Sequence, residues 1–285
     1  MSGSDANKQF RNSVFCSYFN DPERLMSLCN AILDTDYHDA NKLNINTLDG
    51  LFFDDQKNDI SCTLDNHFLV LVEHQSSVNE NMPFRFLSYV AELLNKLMPD
   101  KQKIYRRALI KFPTPEFFVL YDGDSNEPLK RTMRLSDAFN GDSHSLELVA
   151  TSFNINHGLH QPLLKKCHYL NDYSLLVAKV KDGIKSGLTR RLAIRNAVNF
   201  CIDNQIMKDY LEHHSEEVFN MLALQWDKDS ALKASFDDGF DDGLTKGVES
   251  VAVKMLYRGK SFDEIHADTD LSFERIAELA SSLKK

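Results

Sequence analysis

The chain has 285 residues, of which 42% are hydrophobic and 26% are charged, with a formal net charge of −9 at pH 7. This length can bury a full core, and it predicts one large domain followed by a small one. No apolar run approaches the roughly 18 residues of a membrane span. No basic-then-apolar leader opens the chain, so we expect a cytoplasmic protein without a membrane partner.

The cysteines and histidines are scattered. Five cysteines stand singly and form no C-x-x-C pair, which predicts reduced thiols and argues against a disulfide scaffold or a zinc site. Only two sets of histidines are close in sequence, His157 with His160 and His213 with His214. Because no cysteine is near them, we expect them on a loop and on a helix surface.

The first part of the chain predicts helices and then strands. Residues 8–34 carry helical apolar spacing, with a break at Asn20-Asp21-Pro22. Residues 35–50 are polar and rich in turn formers. Three strands of a hairpin-built sheet are then predicted, at 51–53, 59–64 and 68–72, and Asp65-Asn66 supplies the turn between the last two.

A helix is predicted to follow Asn81-Met82-Pro83 and to run to about Met98. Its apolar side chains form one face. Arg85 and Tyr89 are four residues apart and share a different face. That face is placed to point over the end of the preceding strand.

Strands and helices are also predicted in the rest of the large domain. Further strands are predicted at 115–121 and 146–151, separated by a long loop at 122–145, and helices are predicted at 172–187, 189–209 and 214–226. Strands flanked by helices predict a mixed α/β domain.

Two acidic residues and one amide carry the strongest chemical signal. Asp59 opens one predicted strand, and Glu73 ends the next, with Gln75 on the same side by strand alternation. Mg²⁺ takes oxygen ligands and keeps several waters, so Asp59 and Glu73 suffice to hold it, and His74 can add its main-chain carbonyl. The alternative is that Asp59 caps a turn and that Glu73 is a solvated strand end.

The segment from Leu69 to Tyr89 resembles the Rpn family of recombination-promoting nucleases, also called YhgA-like proteins or putative transposases, of the PD-(D/E)XK superfamily. In that family an apolar strand ends in Glu-x-Gln and precedes a helix with an Arg and a Tyr on one face. Phe10–Phe15 and Leu28–Leu33 resemble its first helix. The resemblance covers roughly residues 7–225 and then the tail.

The resemblance implies a PD-(D/E)XK fold and a DNA endonuclease that uses Mg²⁺, or Mn²⁺ in its place, in recombination or phage defence. Asp59, Glu73 and Gln75 would be catalytic, and Arg85 and Tyr89 would support the substrate phosphate. Many such nucleases carry lysine where Gln75 stands. An amide can orient a water but has no formal charge, so weaker electrostatic catalysis is expected. A further acidic ligand from Asp21 or Glu23 stays open.

The charge of −9 argues against a DNA substrate, but it is unevenly spread. Residues 101–111 contain five basic side chains and no acid, and residues 179–195 contain six basic side chains with one acid. Such runs can hold phosphates. They can equally be solvated helix faces.

The predicted second domain, residues 229–285, has two features. Gly239, Gly243 and Gly247 recur every four residues, which predicts either a bare helix groove for close packing or an acidic linker. Met255–Leu279 resembles a helix-turn-helix with N-caps at Ser261 and Ser272. His266 and Asp270 depart from that motif. We therefore favour oligomerisation or docking for this region, and a non-catalytic assembly protein is the alternative function.

Overall fold

A computed structural model describes residues 13–46, 59–98, 100–141 and 145–282, with the backbone alone at 224–242 and 244. The chain divides into two compact units, and the boundary in the sequence falls between Gln225 and Trp226. Among the described residues, the helices that are long enough to cross a bilayer lack the apolar character to do so.

The first unit is an α/β domain with helices around a six-stranded mixed sheet. The strands are β1 (Leu43–Ile45), β2 (Ile60–Leu64), β3 (Phe68–Gln75), β4 (Thr114–Tyr121), β5 (Lys130–Arg134) and β6 (Val149–Asn154). Their order across the sheet is β1-β2-β3-β4-β6-β5. Strands β3, β4 and β6 are parallel, whereas β1, β2 and β5 run antiparallel to their neighbours.

Helices of this unit are α1 (Val14–Phe19), α2 (Pro22–Leu33), α3 (Met82–Leu97), α4 (Pro162–Lys166), α5 (His168–Lys185) and α6 (Arg190–Asp203). Helix α7 (Lys208–Tyr257) starts here, with a non-helical residue at His214, and continues into the second unit. The predicted break before Pro22 is confirmed, because the carboxylate of Asp21 caps the start of α2.

The central hairpin confirms the strand predictions. Asp65 and Asn66 both have positive φ, as a tight two-residue hairpin turn requires. Strand β3 is longer than predicted and ends at Gln75 instead of Val72. The reason is its parallel partner, since Gln75 pairs with Tyr121 at the end of β4.

Two edge strands were not predicted. Strand β1 lies in the segment expected to be turn-rich, and β5 lies in the expected loop at 122–145. Each has only one buried residue, so neither has the apolar run that identifies an interior strand. Strand β6 begins at Val149 instead of 146. The strand predicted at 51–53 lies outside the described residues, as does the helix start before residue 13.

Helix α3 covers one face of the sheet. Phe86 is fully buried, and its ring lies 5.3 Å from that of Phe117 on β4. The cluster also contains Leu69 and Leu71 from β3 and Val119 from β4. This packing fixes α3 against the face of the sheet to which β3 contributes Leu69 and Leu71.

The second unit is the C-terminal part of α7 with α8 (Phe262–Thr269) and α9 (Phe273–Ser282). Ala252, Ile265 and Ile276 form its buried centre. The capping box of Ser261 and Glu264 is confirmed. Asp270 adopts φ 57°, so it takes the left-handed turn position where glycine is usual. The backbone is helical through Gly239, Gly243 and Gly247.

Replacing Phe86 by alanine should lower the free energy of unfolding by about 3–5 kcal/mol, because it leaves a cavity under α3. Phe84→Ala on the same helix is the matched control, since that ring is 60% exposed. It should change stability by no more than about 0.5 kcal/mol. Urea unfolding followed by circular dichroism measures both, and equal losses would contradict this packing.

Candidate functional site

The two predicted acids lie side by side. Ile60 pairs with Val72 across the β2–β3 hairpin, so Asp59 and Glu73 face each other one position further on. The main-chain N–H of Asp59 donates to Oε1 of Glu73 at 3.3 Å. Glu73 is only 1% exposed, and Asp59 is partly buried. The interpretation of Glu73 as a solvated strand end is therefore wrong.

The carboxylate of Asp59 is held from two directions. The main-chain N–H of His74 donates to its Oδ2 at 2.6 Å. The thiol of Cys16, on α1, donates to its Oδ1 at 3.6 Å. The first contact lies within the β2–β3 hairpin, and the second comes from α1. The position of Asp59 therefore depends on the packing of α1 against the hairpin.

Helix α3 brings the predicted arginine and tyrosine to the same place. Nη2 of Arg85 donates to Oε2 of Glu73 at 2.9 Å and to the hydroxyl oxygen of Tyr89 at 3.3 Å. The side-chain amide of Gln75 donates to the same Oε2 at 3.4 Å. The structure thus brings together Asp59, Glu73, Gln75, Arg85 and Tyr89.

Burial and mutual repulsion perturb both carboxyl groups. Burial raises the pKa of Glu73 well above its usual range, and the neighbouring charge of Asp59 adds to the rise, while Arg85 opposes it. Burial also raises the pKa of Asp59, against hydrogen bonding from His74. Two carboxylates therefore share one guanidinium, and an additional cation would relieve the repulsion.

The donor set suits a hard cation such as Mg²⁺, because Asp59 and Glu73 offer carboxylate oxygens. Within residues 13–46, 59–98, 100–141 and 145–282, no group of three or more acidic, histidine or cysteine side chains could hold a metal. The two carboxylates would thus be supplemented by water and by the main-chain carbonyl of His74. Asp21 and Glu23 serve elsewhere, as the cap of α2 and as the acceptor for the Tyr169 hydroxyl.

The opposite face of β3 holds a second polar cluster, which the sequence did not identify. Strand alternation points the His74 ring away from Glu73, and its Nε2 lies 2.9 Å from Oδ2 of Asp122. The hydroxyl of Tyr173 on α5 is 3.4 Å from the same nitrogen, and the Phe15 ring stacks on the imidazole at 5.0 Å. An aspartate directly after the buried strand β4 was the available signal.

The two close pairs of histidines lie where expected. His157 and His160 are exposed on a loop, and His213 and His214 are on α7. Nδ1 of His213 bonds the main-chain oxygen of Asp209, and Nδ1 of His214 bonds Glu217.

Comparison with models of protein families, with characterised proteins and with solved structures gave no match to this chain. The resemblance to the recombination-promoting nucleases therefore stays a prediction.

Replacing Asp59 by asparagine should stabilise the metal-free protein at neutral pH. The native state keeps a proton on Asp59 to higher pH than the unfolded chain, which releases it near pH 4. Wild-type stability therefore falls relative to the variant as pH rises above about 4, until the raised native pKa is passed.

Thermal melts in EDTA between pH 4 and pH 8 measure this difference. The variant should melt a few degrees higher at pH 7, and the two proteins should converge near pH 4. Asp36→Asn, with its side chain 87% exposed, is the control for removing one charge. A lower melting temperature for Asp59→Asn at pH 7 would refute the prediction.

Asp122→Ala should destabilise the protein by about 3 kcal/mol, because it removes the carboxylate that lies 2.9 Å from Nε2 of the buried His74. The matched control is Asp124→Ala, whose side chain is 81% exposed although it pairs with Lys181. That change should cost no more than about 1 kcal/mol. Equilibrium unfolding of both variants provides the comparison, and equal costs would exclude a structural role for the pair.

Proposed function

We propose that this protein is a Mg²⁺-dependent DNA endonuclease of the PD-(D/E)XK class, similar to the recombination-promoting nucleases. The observation that carries the proposal is the placement of Asp59 opposite Glu73, where both carboxyl groups have a raised pKa. Two adjacent buried acids are costly to keep, because the loss of hydration of each buried charge costs several kcal/mol and the two groups share the single guanidinium of Arg85. A nuclease would use the two acids to bind a metal ion.

The surrounding residues suit phosphodiester hydrolysis. Asp59 and Glu73 would hold a Mg²⁺ ion, which would supply an activated water and neutralise the negative charge that develops on the phosphoryl oxygens. Gln75 lies within hydrogen-bonding distance of Glu73, so its amide is placed to orient that water. The side chain of Arg85 remains 18% exposed while its Nη2 bonds Glu73, and it can therefore also contact a substrate phosphate.

The sheet gives the proposal further support. The acids sit at the end of an antiparallel hairpin, and β3 continues into a parallel core with β4 and β6. Helices then flank a mixed sheet, as the PD-(D/E)XK class requires. The five cysteines are free thiols, which is consistent with a cytoplasmic location.

The proposal is tested by plasmid nicking with two charge-neutralising variants. Asp59→Asn and Glu73→Gln should each reduce the rate at least about a hundredfold in Mg²⁺ or Mn²⁺, because each removes a metal-binding charge. They should also reduce the heat of Mg²⁺ binding in calorimetry.

Glu116→Gln is the matched control, because Glu116 lies on the neighbouring strand but pairs with Val70, away from the acid pair. It should cleave at the wild-type rate. Full activity of Asp59→Asn, or wild-type cleavage that survives EDTA, would contradict the proposal.

The second candidate function is a non-catalytic assembly or regulatory protein. It is favoured by Gln75, which carries no charge where many nucleases of the PD-(D/E)XK type have lysine, and by the engagement of Glu73 with both Gln75 and Arg85. Under this alternative, residues 229–285 act in homo-oligomerisation or docking. Absence of both metal binding and a DNA mobility shift at low salt would favour it.

A further inference from the structure

The connection between α3 and β4 carries a surface that the proposed active site does not use. We call residues 101–112 the basic loop. Its first residues, Lys101–Tyr105, form a short 3-10 helix. Three of its large apolar side chains face solvent, with Tyr105 90%, Leu109 86% and Ile104 57% exposed. Apolar side chains so open to water are typical of a surface that has a partner.

The charge of the basic loop indicates what kind of partner it fits. It contains the five basic residues Lys101, Lys103, Arg106, Arg107 and Lys111, in a protein whose net charge is −9. Arg106 pairs with Asp100 at 3.4 Å. In the described part of the chain, the other four have no acidic partner within ion-pair distance. A polyanion would complement them.

The second basic run differs from the basic loop. Lys179 packs over the Phe200 ring, and Arg191 lies over the Phe219 ring. Lys181 donates to the main-chain oxygen of Asp122 and to Asn156. The sequence left both runs open as phosphate sites, but internal contacts already engage these members of the second run.

The basic loop and the acid pair lie at opposite ends of β3. Thr114, just after the loop, pairs with Phe68, whereas Glu73 pairs with Val119. At about 3.3 Å per residue, the two pairs are about 17 Å apart along the sheet. That distance corresponds to about five base steps of DNA, so one strand can extend from one feature to the other.

We propose that the basic loop binds an unpaired DNA strand, with Tyr105 stacking on a base and Lys103 and Arg107 contacting phosphates. The choice of DNA as the polyanion rests on the proposed function. An exposed aromatic ring among basic side chains is the combination that single-stranded nucleic acid binders use, because every base offers a face for stacking. A duplex keeps its bases stacked inside and offers that ring much less.

The test measures binding without hydrolysis. A fluorescein-labelled single strand of about 30 nucleotides and a duplex of the same sequence are titrated with the full chain in EDTA, and anisotropy is recorded at several salt concentrations. Tyr105→Ala should weaken single-strand binding by roughly five- to a hundredfold and duplex binding by less. Tyr257→Ala, at a tyrosine 74% exposed in the second unit, should leave both affinities within about twofold.

The electrostatic contribution has its own matched pair. Lys103→Gln with Arg107→Gln should make the dependence of log affinity on log salt shallower by about 1.4, since each phosphate contact to a single strand contributes about 0.7. Lys165→Gln with Lys254→Gln removes the same charge from exposed positions on α4 and α7, outside both basic runs, and should leave the slope unchanged. Equal slopes for the two double variants would overturn the proposal.

Other occupants of the basic loop give distinct results. Loss of binding to vesicles of phosphatidylcholine and phosphatidylglycerol, with single-strand affinity intact, would assign the loop to an anionic lipid surface and overturn the proposal. A changed sedimentation coefficient for Tyr105→Ala, again with DNA affinity intact, would assign it to a second copy of the chain, with the same consequence.

Failure of the nuclease proposal is a separate outcome. If the wild-type protein nicks no plasmid in Mg²⁺ but binds the single strand in EDTA through Tyr105, the basic loop is a DNA-binding surface on a non-catalytic protein. If Asp59→Asn abolishes nicking while Tyr105→Ala changes neither binding nor nicking, the acid pair is catalytic and the inference about the loop is wrong.

Discussion

The burial of Glu73 beside Asp59 is the constraint on which the rest of the structure depends. A carboxylate that is 1% exposed needs a charged partner, and Arg85 provides one at 2.9 Å. Arg85 reaches it from α3, which packs onto the sheet through the contact between Phe86 and the Phe117 ring of β4. The core cluster around Phe86 and the candidate site therefore depend on the same helix.

Strand alternation makes β3 the junction of two polar clusters. Glu73 and Gln75 face α3, while His74 faces α1 and α5 through Phe15 and Tyr173. Asp59 is bonded to both sides, since it contacts Glu73 through its N–H and His74 through its carboxylate. A change in the cluster around the His74 ring can therefore affect Asp59 through the main chain of His74 alone.

The elements predictable from the sequence were those with strong local patterns. Strands β2, β3 and β4 have apolar runs, the Asp65-Asn66 turn has its residue types, and α3 has one apolar face. Strands β1 and β5 lie at the sheet edges with one buried residue each, so their pairing is decided by neighbours and not by composition. The bond between His74 and Asp122 joins residues 48 positions apart, and it depends on β3 and β4 being parallel. The position of Asp122 directly after β4 is the only local signal, and it does not identify His74 as the partner.

The acidity of the whole chain bears less on nucleic-acid binding than its net charge suggests. At physiological ionic strength a charge is largely screened beyond about 8 Å in solvent. The acid pair lies about 17 Å from the start of β4, roughly two such lengths from the basic loop. A phosphate at the loop therefore experiences mainly the local basic residues. Near Glu73 the same strand would meet repulsion from two carboxylates, which a bound divalent cation would reverse. Metal binding at one end of β3 would then determine whether a strand held at the other end can enter the site.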